Sequence, residues 1–74
     1  MKNAVSVDPE IMGGEPCFSG TRVPIKNLFN YIEDGSPLNE FFEGFPRVKR
    51  QQVIEVLELA KNSLLKEINE NLAG

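Results

Sequence analysis

Histidine is missing from this 74-residue chain, and Cys17 is its only cysteine. Zinc sites of the usual kind draw on several His and Cys ligands, so that class is excluded. A lone cysteine closes no intrachain disulfide and reads as a small apolar residue in a reducing compartment. Nucleophilic catalysis by Cys17 or a serine has no imidazole base to rely on. Long apolar runs are also scarce. None approaches the roughly 20 residues of a membrane span, and the opening MKNAVSVDPE lacks the apolar stretch of a signal peptide. A cytoplasmic, non-membrane protein is expected. So small a chain has little room for a pocket, so neither enzyme activity nor a cofactor is expected.

General basicity is absent too, because the net charge is −3. Three basic and seven acidic side chains precede Arg47. RVKR, residues 47–50, then adds three positive charges, and two lysines against four glutamates come after it. One compact basic spot on an acidic body does not bind nucleic acid indiscriminately, but it suits a local phosphate contact. Asp8, Glu10 and Glu15 lie in a turn-rich segment and are expected to be solvated rather than to hold a metal.

What the chain has in plenty is backbone-controlling residues. GGEPCFSGTRVPI, residues 13–25, holds three glycines and two prolines. AVSV, residues 4–7, reads as an edge strand ending at the Asp8-Pro9 turn. EPCFSG reads as a second extended piece with Pro16 at its entrance. Together they predict a β-arm or hairpin over residues 3–22.

A helical body over 24–74 completes a single domain, since a chain this short supports only one. Ile25, Leu28, Phe29 and Ile32 follow helical spacing, with Thr21 as N-cap, Pro24 in the first turn and Gly35 at the C-terminal stop. Ser36-Pro37 predicts the cap and first residue of a short second helix carrying Leu38, Phe41 and Phe42, broken at Gly44-Phe45-Pro46. A last helix starts near Val48 and runs almost to the final residue. The expected class is mainly α: a β-arm, then a three-helix, helix-turn-helix-like (homeodomain-like) bundle with a long C-terminal helix.

The second helix, the turn GFPR and the long helix resemble a helix-turn-helix, whose second helix enters the DNA major groove by its N-terminal residues. There Arg47, Lys49 and Arg50 are candidates for phosphate contact, and Gln51 and Gln52 for base edges. A solvated surface or a protein-binding basic patch are the plainer readings. Val53, Val56, Leu57, Ala60, Leu64 and Ile68 line one face of the long helix, widened by Ile54, Leu65 and Leu72. Two short helices cannot cover so broad a stripe. A second copy is therefore expected on Leu57, Ala60, Leu64, Leu65, Ile68 and Leu72; the plainer alternative is a frayed tail. Thr21, Arg22 and Lys26 are candidates for anchoring the arm or touching a partner. GGEPCFSGT lacks the Gly-Lys-Ser/Thr ending of a phosphate-binding P-loop.

Gly14-Glu15-Pro16, Cys17-Phe18-Ser19 and Gly20-Thr21-Arg22-Val23-Pro24-Ile25 resemble the domain-of-unknown-function family 433 of small prokaryotic proteins. Gly35, Ser36, Phe45-Pro46 and the helix from Val53 continue the resemblance. It implies an often dimeric helix-turn-helix-like protein of the antitoxin kind. Such a protein neutralises a toxin with a PIN-like ribonuclease fold and represses its own promoter on a duplex DNA operator. The chain departs from the family at Val48-Lys49, where the family has Leu-Thr, so the capping hydroxyl of the long helix is missing. It departs again at Glu15, where the family often has Lys.

Overall fold

The computed structural model describes residues 4–72, with the side chain of Leu72 outside the description. The beginning of the expected arm at residue 3 and the last two residues of the expected domain also lie outside it.

Two strands of two residues each, β1 (Val5–Ser6) and β2 (Cys17–Phe18), pair antiparallel with Val5 opposite Phe18 and Ser6 opposite Cys17. So short a ribbon does not hold itself. It is held on both sides of β2. The Ser19 N–H donates to the Ala4 carbonyl, while Phe18 N–H donates to Val23 and Ile25 N–H to Pro16. The run entering the first helix thus acts as a third, irregular edge, with Cys17 bridged to Pro24. Between β1 and β2 the chain turns through a single 3-10 turn, Met12–Gly14. All three of its residues have positive φ, at 52°, 66° and 89°. Glycine adopts that region freely, which explains the Gly13-Gly14 pair, whereas Met12 is strained there.

Three helices come next: α1 (Ile25–Glu33), α2 (Leu38–Gly44) and α3 (Arg50–Leu72). The β-arm and three-helix body expected from sequence are present. α1 stops as Gly35 predicts. Gly35 sits at φ 78°, its N–H donates to Ile32, and the Ser36 N–H reaches back to Tyr31. That pair of bonds is the Schellman arrangement.

Helix starts differ from expectation. Pro24 and Pro37 are themselves the N-caps, with ψ of 141° and 150°, and neither start has a side-chain cap. Thr21 and Ser36 therefore do not cap α1 and α2. Proline's fixed φ suits either side of a helix boundary, so ψ decides, and ψ here is extended.

The core is built around Phe41 of α2, which is fully buried with Phe18 and Leu28. Its ring meets Phe18, Tyr31, Phe42 and Phe45 at centroid distances of 5.9, 5.4, 5.8 and 5.1 Å. Tilted and edge-on aromatic pairs of this kind add about 0.5–1.5 kcal/mol each beyond area burial. Ala4, Val48, Val53 and Val56 close the same core. Val48 plugs the connection between α2 and α3 and so fixes where α3 begins. Ile32, expected on the buried stripe of α1, is 43% exposed at its far end.

α3 divides in two. Val53 and Val56 are buried and Leu57 packs half-buried on the core. From Glu58 to Asn71 every residue is exposed, including Leu64 at 57% and Leu65 at 49%. The helix has 23 residues. At a rise of about 1.5 Å per residue it spans roughly 34 Å, so more than half of α3 projects beyond the body as an overhang. No helix among the described residues is long and apolar enough to cross a membrane.

Candidate nucleic-acid interface

α2, the connection 45–49 and α3 bring RVKRQQ to the outer end of the body. The start of α3 lacks a capping hydroxyl, yet it is not bare. Gln52 Oε1 accepts the Lys49 N–H at 2.9 Å. With Lys49 as N-cap and Gln52 at N3, this is the returning half of a capping box. The other end of the same amide donates from Nε2 to the Ser19 carbonyl at 2.9 Å. Gln52 therefore ties the arm to α3 across 33 residues of sequence. Its amide is committed inside the chain rather than offered to bases.

The other sequence candidates divide by what they touch. The Arg50 guanidinium lies over the Phe42 ring, 5.2 Å from its centre. At an exposed site such an attraction is worth about 0.5–1 kcal/mol. Gln51 is exposed and reaches Glu55 at 3.4 Å. Arg47 and Lys49 are exposed and stand clear of any carboxylate partner among the described residues. Lys26 pairs with Glu15 at 3.6 Å, linking arm to α1. Both groups are wet, and such pairs contribute under about 1 kcal/mol.

Thr21 is buried and works inside its own loop. Its Oγ1 donates to the Phe18 carbonyl at 2.8 Å and accepts the Val23 N–H at 3.0 Å. The Thr21 N–H also donates to Phe18, and Gly20 at φ 77° supplies the positive φ that the turn needs. Arg22 is the next residue and is exposed, with no carboxylate in ion-pair range among the described residues.

Two adjoining depressions mark this end of the molecule. Ser6, Ile11, Gly20, Thr21, Arg22, Val23 and Arg47 line one. Ala4, Ser19, Gly20, Thr21, Arg47, Lys49, Gln51, Gln52 and Glu55 line the other. Gly20, Thr21 and Arg47 belong to both. Glu55 is the single carboxylate lining either. No group of three or more acidic or cysteine side chains suited to a metal ion occurs among the described residues.

The family model described as "Protein of unknown function (DUF433)" matches residues 5–60, well over half of the chain. The chain belongs to the DUF433 family. The match takes in the arm, α1, α2, the packed part of α3 and the first three residues of the overhang. A solved structure of a DUF433 member protein from Anabaena variabilis ATCC 29413 superposes with a TM-score of 0.71 at 20% identity. The alignment covers 99% of this DUF433 chain and 71% of that one. The likeness establishes a shared fold. No curated protein matches the sequence.

Of the residues expected at the dimer interface, the structure splits the set. Leu57 is largely used inside the chain, while Ala60, Leu64, Leu65 and Ile68 lie on the exposed overhang. At about 100° per residue Leu57, Ala60, Leu64, Leu65 and Ile68 fall within one apolar arc, interrupted by Lys61. Sequence reasoning missed the second role of Gln52. The signal was a Gln at N3, hidden because the N-cap is Lys rather than Ser or Thr.

Proposed function

We propose that this protein is a DNA-binding transcriptional autoregulator of the type II antitoxin kind, acting as a homodimer. The observation that carries the DNA half is the clustering of Arg47 and Lys49 around the depressions at the start of α3, where neither has a carboxylate partner among the described residues. Cations held there by a capped, core-anchored helix start suit phosphate oxygens, while Gln51 is the side chain left to reach a base edge. Arg50 flanks them, its guanidinium stacked on Phe42. The antitoxin half rests on the family resemblance, which implies a PIN-like toxin as partner.

In this reading two copies pair through the overhangs and present two α3 starts to half-sites about 34–36 Å apart, or a multiple of that. Titration with duplex DNA from upstream of the reading frame, at low and high salt, tests it. Lys49→Ala and Arg47→Ala should each lower the salt slope by about one unit. Unchanged slopes in both remove this surface from the interface.

A second reading is favoured by the overhang itself. Its apolar arc is edged by Glu67, with Glu58 paired to Lys61, and the net negative charge of the rod suits a protein with a positively charged cleft, such as a ribonuclease. A protein that binds such a partner and ignores duplex DNA at low salt would be an interaction module alone.

A further inference from the structure

We propose that the β-arm is the second jaw of this interface, with Arg22 gripping the DNA sugar–phosphate backbone beside Arg47 and Lys49. The inference rests on the DNA-binding reading and extends it to an element outside the helix-turn-helix.

Position comes first. The Ser19–Arg22 loop lies against the start of α3 because Gln52 Nε2 donates to the Ser19 carbonyl. Arg22 and Arg47 come from segments far apart in sequence and line the same depression. Arg47 and Lys49 line the next one, with Gly20 and Thr21 shared between the two. Three cations thus border one continuous surface made jointly by arm and helix.

Rigidity comes next. The loop is fixed by the two Thr21 hydroxyl bonds and by Thr21 N–H to Phe18, all at 3.0 Å or less, about a buried side chain. Arg22 is therefore carried on a braced turn and not on a floppy tip, so less ordering is required when it binds. Gly20 leaves open space where a Cβ would stand, so no side chain at that position crowds an approach to Arg22.

Electrostatics completes the case. Lys26 and Lys61 are each neutralised by a neighbouring glutamate, and Arg50 leans on Phe42. Arg22, Arg47 and Lys49 have no such compensation among the described residues and converge on one face of an otherwise acidic chain. Cations that converge from the arm and the helix start on one surface suit a polyanion, and arginine forks suit phosphate oxygens.

The test is the salt dependence of binding to a 30-base-pair duplex from upstream of the reading frame, measured by anisotropy for the full chain. Arg22→Gln should lower the slope of log K against log salt by about 0.9, the share of one phosphate contact. Arg22→Lys should restore it. Lys66→Gln removes the same charge on the far overhang and should leave the slope alone. Circular dichroism confirms folding of each variant; Arg22 is exposed, so its replacement does not disturb the core. If the wild type binds and Arg22→Gln keeps the full slope, or Lys66→Gln loses as much as Arg22→Gln, the arm is not a jaw, and DNA binding by α3 stands. If the wild type fails to bind the duplex at low salt yet binds a polyglutamate peptide, the cations serve an acidic protein, and both readings fall together.

Discussion

Gln52 offers a quantitative check on how the arm and α3 are joined. Gln52→Ala deletes two hydrogen bonds at once, those to the Lys49 N–H and the Ser19 carbonyl, both 2.9 Å. The first lies at an exposed helix start and the second is partly buried. Net contributions of about 0.5–1.5 kcal/mol apiece put the loss at about 2 kcal/mol. For a domain of this size each kcal/mol moves the melting temperature by about 4–8 °C, so Gln52→Ala should melt about 10 °C below wild type. Gln52→Glu retains an acceptor for the Lys49 N–H, now charged and favourably placed at a helix N-terminus. It loses the donor to Ser19 and sets a carboxylate against that carbonyl. It should fall between Gln52→Ala and wild type. Gln51→Ala removes one exposed bond of 3.4 Å. It should stay within about 0.5 kcal/mol of wild type. The assay is thermal unfolding by circular dichroism at one fixed protein concentration, because any self-association shifts the midpoint. A Gln52→Ala protein melting within about 2 °C of wild type would refute the bridge.

Phe41→Ala should cost about 3–5 kcal/mol, because it empties the centre of a five-ring cluster from a side chain with no exposure. Urea denaturation would read this as a midpoint shift or an unfolded chain, and a loss under about 1 kcal/mol would show that the core is not centred there. Leu64→Glu combined with Ile68→Glu should leave the melting of the body nearly unchanged, since both side chains are exposed on the overhang. For the proposed homodimer, sedimentation should nevertheless fall to that of a single chain, and an unaltered sedimentation coefficient would detach self-association from this face.

Much of the architecture can be read from residue order, and the reasons differ by element. The stripe Ile25, Leu28 and Phe29 and the stop at Gly35 are local signals, and α1 obeys them because helical spacing and a positive-φ glycine need no distant partner. The divided face of α3 is legible in the same way, since two short helices cannot cover a stripe that wide. What stayed hidden was decided by how the segments pack rather than by helix-boundary signals. Thr21 has the chemistry of a cap, but its hydroxyl is taken by Phe18 and Val23 once β2 folds against the entry to α1. Gln52 reads as a base-contacting amide until Ser19, far away in sequence, is found beside it. The candidate surface was half visible: RVKR announces itself as a charge cluster, whereas Arg22 joins it only through the packing of the arm.

The abrupt change along α3, from packed to wholly wet, has a bearing on how readily that helix can be grasped. Starting a helix is its unfavourable step, and extending one already begun is nearly neutral per residue. The turns around Val53 and Val56 are clamped to the body and act as a permanent seed. The residues beyond Ala60 have only to grow from it. Any molecule that closes over that outlying rod meets a scaffold whose hardest conformational step was completed when the domain folded.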